Sequence, residues 1–167
     1  MSTTRKASAV ILAGVIFGAL IGLALGVIWW RLAPRVQVVV ESGQFVDFQP
    51  KGFLASDVTF AFLALVAGLL MTIGLATMRR EHLVSVLVAA VLSGAIGSLA
   101  MWWVGHSLGG VEIEGLAGTQ DQVIDGPLVL HMSAMLFVWP IVAAAVVTVL
   151  ALGDWLSGLR KQEPTSA

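Results

Sequence analysis

The sequence predicts an all-α membrane protein, a single domain over residues 1–167 in which four transmembrane helices pack as a bundle. Three observations carry that prediction. Hydrophobic residues make up 58 % of the chain and charged residues 11 %, where a soluble domain carries roughly 25 % charged, so a water-facing surface cannot be built from this supply. Four stretches, Ala7 to Trp30, Val58 to Met78, Leu83 to Gly105 and Met132 to Gly153, contain no charged side chain. Each is long enough to span, because roughly 20 residues rising ~1.5 Å apiece cross a hydrocarbon layer ~30 Å thick. Finally, Trp29, Trp30, Trp102, Trp103 and Trp155 stand at the ends of these stretches, where indole rings prefer the membrane–water interface.

The first span, residues 8–31, follows Arg5 and Lys6, as the core of a secretory signal would. Its apolar run is too long for one and lacks a small-x-small cleavage site, so it is read as a retained helix. Gly14, Gly18, Gly22 and Gly26 recur every four residues along it, a helix-packing groove that lets another backbone approach closely. Two partners fit the groove. One is the chain's own small ridges, Ala64, Gly68 and Thr72 or Ala90, Gly94 and Ser98; the other is a homodimer face or a partner subunit.

A loop over 32–57 leads to the second span, 58–78. Val36, Val38 and Val40 alternate in it, with Gly43, Pro50 and Gly52 as breakers. Asp57, preceded by Ser56, reads as the N-cap of the second helix. Arg79 to His82 leaves only a short turn before the third span, 83–105, which makes the second and third helices antiparallel neighbours. In the next loop, 106–131, Val111-Glu112-Ile113-Glu114 alternates and Gly126-Pro127 marks a turn. Either one short strand from each loop pairs into a small β cap, or both loops are irregular. The fourth span, 132–153, contains Trp139-Pro140, which predicts a bend in its outer half. Gly18-Ala19 with Trp29-Trp30 and Gly94-Ala95 with Trp102-Trp103 form a weak internal echo. Two hairpins related by an axis along the membrane normal would produce it, and so would independent use of interfacial tryptophan.

Orientation follows from the basic residues. Arg5, Lys6, Arg79, Arg80, Arg160 and Lys161 fall on one side, and Arg31, Arg35 and Lys51 on the other. The richer side is the cytoplasmic one. A multi-pass protein of the cell inner (plasma) membrane with both termini cytoplasmic is therefore expected. Glu41, Asp47, Asp57, Glu112, Glu114, Asp121 and Asp125 make the outer side acidic.

Chemistry has little to stand on. The chain has no cysteine, which removes disulfides, thiolate metal sites and thiol catalysis. None of the four charge-free stretches holds Asp, Glu, Lys, Arg or His, which counts against a pump or a charge-lined channel. His106, His131, Met132 and Met135 gather near the outer face; imidazole and thioether can hold copper, but separated histidines without cysteine make a poor ligand set. Neither a metal nor another cofactor is expected. Glu112 and Glu114 share a face if extended, yet a carboxylate pair needs a substrate cleft, and no phosphate-loop or nucleophile-elbow motif occurs. Asp154, near the end of the fourth helix, opposes its dipole and invites an ion pair with Arg79, Arg80 or Arg160.

Four segments, Trp29 to Val40 (WWRLAPRVQVVV), Gly52 to Leu70 (GFLASDVTFAFLALVAGLL), Gly97 to Gly109 (GSLAMWWVGHSLG) and Phe137 to Leu152 (FVWPIVAAAVVTVLAL), carry a resemblance. On them the chain resembles a family of small four-span actinobacterial membrane proteins known as a domain of unknown function. The resemblance implies a fold and lends no activity.

Three function classes follow. The first is a non-catalytic accessory or assembly subunit of a cell-envelope or respiratory complex, not an enzyme. It would sit in the lipid bilayer beside a membrane protein partner or a second copy, with no nucleic acid involved. Its outer docking surface would be Glu112, Glu114, Asp121 and Asp125. The second is a transport component for a small solute. The third is an envelope enzyme or metal-handling protein that uses the outer loops.

Overall fold

A computed structural model describes residues 3–35, 37–41, 44–47, 52–78, 83–110 and 123–160. Four α-helices dominate it: α1 (Thr3–Leu32), α2 (Gly52–Met78), α3 (Leu83–Leu108) and α4 (Val138–Arg160). All four are long and apolar enough to cross a membrane. Three short strands, β1 (Gln37–Glu41), β2 (Gln44–Asp47) and β3 (Val123–Asp125), form an antiparallel sheet in the order β2-β1-β3. The end of the bundle that carries this sheet is called the sheet end below, and the other the far end.

The sheet is the small β cap. Val39 of β1 stands opposite Val46 on one side and Val123 on the other. The strand described from the second connection is Val123–Asp125, next to the Gly126-Pro127 turn; the expected Val111 to Glu114 lies outside the described residues. With β3 in place, Val38 and Val39 of β1 have partners on both edges, as a central strand requires.

Helix α3 is the hub. It touches each of the other three helices, and α1 makes most of its contact with α3 alone. Burial agrees: 44 % of the apolar span of α3 is buried, against 17 % for α4. The α1–α3 seam is built from glycine. A Cβ placed on Gly14 would meet Ala89 Cβ at 3.6 Å, one on Gly18 the Ser93 carbonyl oxygen at 2.6 Å, and one on Gly26 the Met101 carbonyl oxygen at 2.7 Å. One on Gly22 would run into the backbone of Gly97. The four-residue glycine spacing thus meets a ridge of this same chain.

Two helix boundaries differ from those expected. Helix α2 starts at Gly52 and not at 58, so Asp57 lies in its second turn, inside the apolar span Leu54–Thr77. It is therefore not the N-cap of α2, and one carboxylate does lie within a span. At the other boundary, Met132 to Phe137 is not α-helical. A 3-10 helix, Ser133–Phe137, precedes α4, with Met135 N donating to Met132 O at 2.9 Å. Pro140 is the third residue of α4, where the missing N–H would find no intrahelical acceptor anyway. Instead of bending the fourth helix midway, the proline marks the start of its α-helical part. At the same end, α1 stops at Pro34 after Ala33 N donates to Trp29 O at 2.8 Å. Helix α3 stops at Gly109-Gly110, where Gly109 N donates to Gly105 O at 2.9 Å and Gly109 O accepts from Leu128 N at 3.0 Å. That last bond folds the connection back onto the bundle.

The core follows this plan. Its larger cluster, with Trp29, Phe60, Ala64, Met101, Leu128 and Trp139, fills the sheet-end half; Ala76, Val86 and Val147 form a smaller one toward the far end.

Candidate functional site

The most unusual chemistry in the bundle is Asp57. Its residue is 1 % exposed, and both carboxylate oxygens accept from backbone amides 74 and 75 residues away: Oδ1 from His131 N at 3.2 Å and Oδ2 from Met132 N at 2.8 Å. Those amides immediately precede the 3-10 helix and α4. Amides at a helix start lack intrahelical acceptors and carry partial positive charge. A carboxylate there is a cap, supplied to the fourth helix by the second. Charge-assisted bonds of this kind contribute roughly 1.5–3 kcal/mol each, and they offset the cost of holding a carboxylate away from water.

Next to Asp57, Ser56 O accepts from Trp29 Nε1 at 3.1 Å. The Trp29 ring meets Phe60 edge-on, with centroids 5.1 Å apart and planes at 81°, a favoured arrangement of ring quadrupoles. Its six-membered edge lies where a Cβ on Gly105 would be, so Gly105 of α3 is the small residue that admits it. Trp29 therefore ties α1 to α2 and α3, while Asp57 ties α2 to the start of α4. Trp30, one residue on, is half-buried, and the Arg31 guanidinium carbon lies 5.8 Å from its ring centroid.

Trp139 is the second buried indole, 0 % exposed. It enters between α2 and α3 through three glycines: Cδ1 lies 3.0 Å from a Cβ position on Gly68 and 2.9 Å from one on Gly94, and Cη2 lies 2.8 Å from one on Gly97. Sequence reasoning missed this residue, taking Trp139-Pro140 as a bend alone. Small residues on the ridges of α2 and α3 were the available signal, since a large side chain has to fill the space they leave.

The remaining predicted residues are described only in part. His106 is exposed and stacks on Trp102, with centroids 5.8 Å apart and planes at 14°. His131 is exposed, with its backbone held by Asp57. Among the described residues no group of three or more His, Asp or Glu is placed to hold a metal ion. Of the acidic docking residues, Glu112, Glu114 and Asp121 lie outside the described residues, and Asp125 is exposed on β3 opposite Gln37. Asp154 is exposed as well; Arg79 and Arg80 lie outside the described residues, as does the Arg160 side chain.

What this arrangement does chemically is hold. Both Asp57 oxygens accept from backbone amides, and these bonds hold α2 against the start of the 3-10 helix and α4. Comparison with protein-family models, with curated proteins and with solved structures finds no match to this chain.

Proposed function

We propose that this multi-pass protein is a non-catalytic accessory or assembly subunit of a cell-envelope or respiratory membrane complex, with both termini in the cytoplasm and the sheet end outside. The observation that supports it most is the far end of α4. From Thr148 to Ser157 every residue but Ala151 is exposed, so this part of the helix has its neighbours outside the chain. Its surface is not purely lipid-like. It carries Thr148, Gly153, Asp154 and Ser157, and a Cβ on Gly153 would meet nothing within 4 Å. Small residues that leave a helix backbone approachable are a common feature of helix–helix interfaces in lipid.

The glycines of α1 are spent inside the monomer, and the exposed far-end part of α4 is the surface this reading offers to a companion. Purification of the tagged chain in mild detergent should retain a stoichiometric membrane protein, and Gly153→Leu should reduce that retention. A monodisperse single chain, unchanged by Gly153→Leu, would overturn the subunit reading and leave transport or an envelope enzyme. Orientation has its own test. Alkaline-phosphatase fusions at Ser2 and Ala167 should be inactive, and activity from either would overturn the cytoplasmic assignment, which rests on the basic residues.

A further inference from the structure

Helices α1 and α4 are not neighbours. Each packs on α3, and scarcely on the other. At one level, however, a single glycine separates them. The Trp139 indole reaches along α3 from Gly94, where Cδ1 lies 2.9 Å from a Cβ position, to Gly97, where the tip of the ring, Cζ3 and Cη2, lies 2.7 and 2.8 Å from the Cβ position. The carbonyl oxygen of Gly18, on α1, lies 2.9 Å from that same Cβ position on Gly97. A ring of α4 and a main-chain atom of α1 therefore border one point on α3, and a glycine hydrogen is all that α3 places there.

The tip of the ring is thus enclosed by more than α3, because beside Gly97 the wall is α1. That wall is fixed by its own close approach: a Cβ on Gly18 would meet the Ser93 carbonyl oxygen at 2.6 Å, and one on Gly22 would run into the backbone of Gly97 itself. Protein interiors are packed as densely as organic crystals, and a wall that withdraws leaves its neighbours without contact on that side. Trp139 is 0 % exposed and is the second residue of α4, so what holds the ring holds the start of that helix. A side chain at position 97 would have to displace the ring and α1 together, which is why the junction requires glycine.

We propose that Gly97 is a junction through which α1 controls the seating of α4: α1 completes the slot for Trp139, and a displacement of α1 on α3 passes to the start of α4 through the ring. Asp57 of α2 holds the approach to the same helix through the amides of His131 and Met132. The seat of α4 is then built by all three earlier helices, although α1 and α4 scarcely meet. The inference concerns the inside of the bundle and stands whether or not the far end of α4 meets a companion.

The test uses the full chain in lipid nanodiscs with ¹⁵N-labelled tryptophan, where the indole resonance lost in Trp139→Phe, one of six, belongs to Trp139. Gly18→Ala changes α1 alone, and its methyl presses on Ser93. The Trp139 resonance should shift in that variant and stay in place in Gly14→Ala, whose methyl meets Ala89 Cβ at an ordinary 3.6 Å. In reversible unfolding, Gly18→Ala combined with Trp139→Phe should lower the folded-to-unfolded ratio less than the product of the single effects, by about twofold or more, as residues that share a contact do. An unmoved resonance in Gly18→Ala, or single effects that simply multiply, overturns the proposal, because α1 and the ring then respond separately. Should Gly18→Ala fail to fold, Gly14→Leu presses α1 off α3 from one turn away and is read in the same two ways.

Discussion

Along the α1–α3 seam small residues bring two backbones together; where α2, α3 and α4 meet, the same residue types make room for a single indole. In the first case Gly18 and Gly22 lie against the main chain of Ser93 and Gly97, and a side chain added there has nowhere to go, because backbone does not yield. In the second, Gly68, Gly94 and Gly97 lie nearest the Trp139 ring, with main chain (Trp139 O, Pro140 N and Gly18 O) at 2.9–3.1 Å from their Cβ positions, so an addition presses first on a ring. Identical glycines therefore differ in tolerance according to how closely main chain approaches them and whether a side chain lies in front of it.

Gly22→Leu should break the comparison most severely. It sets a branched side chain against the Gly97 backbone and forces α1 off α3, with an expected loss of about 3 kcal/mol or more, the upper range for overpacking. Denaturant titration in detergent reads this directly, and a native-like midpoint for Gly18→Leu and Gly22→Leu alike would show that the seam is not a packing interface. Asp57→Ala comes next. It removes the carboxylate from two backbone amides and should cost roughly 2–3 kcal/mol, with Asp57→Asn recovering part of the loss. Equal stability of all three chains would mean that the cap carries no weight.

On the indole side the effects are smaller. Gly68→Ala places a methyl 3.0 Å from Trp139 Cδ1 and 3.1 Å from Trp139 O, so the ring has to shift, at an expected cost of about 1 kcal/mol together with a change in tryptophan emission. Gly14→Ala should run the other way. Its Cβ would meet Ala89 Cβ at an ordinary 3.6 Å, and the gain in helix propensity is roughly 0.5–1 kcal/mol. Destabilisation by Gly14→Ala comparable with that of Gly22→Leu would erase the distinction between close and ordinary approach.

The spans were legible because lipid imposes a length and forbids charge, and both constraints are local in sequence. The four-residue spacing of Gly14, Gly18, Gly22 and Gly26 is local too, and it names a face. It does not name the ridge that face meets, and neither expected ridge, Ala64-Gly68-Thr72 or Ala90-Gly94-Ser98, is the one: the glycines meet Ala89, Ser93, Gly97 and Met101 on the neighbouring face of α3, one residue away from the second expected ridge. Helix starts were harder to read. Asp57 after Ser56 has the composition of an N-cap, but it lies inside α2 and its carboxylate accepts instead from amides 74 and 75 residues away, a distance at which sequence pattern carries no signal. Likewise the uncharged run Met132 to Phe137 extends the apolar count of the fourth span, while its backbone takes the tighter 3-10 path ahead of Pro140. Trp139 was hidden for a further reason: in an apolar run an indole bound for the core looks the same as one bound for lipid.

The cap across helices also sets an order of events during biosynthesis. Ribosomes add about 5–20 residues per second, so once Asp57 has been made, roughly 4–15 s pass before His131 and Met132 follow it. Throughout that interval α2 has to enter the bilayer with its carboxylate unmatched, and α3 can dock on α1 while the slot for Trp139 stays open. Only the arrival of the last helix supplies both the amides and the indole. Released chains that end before residue 131 should therefore remain associated with the insertion machinery longer than the released full chain.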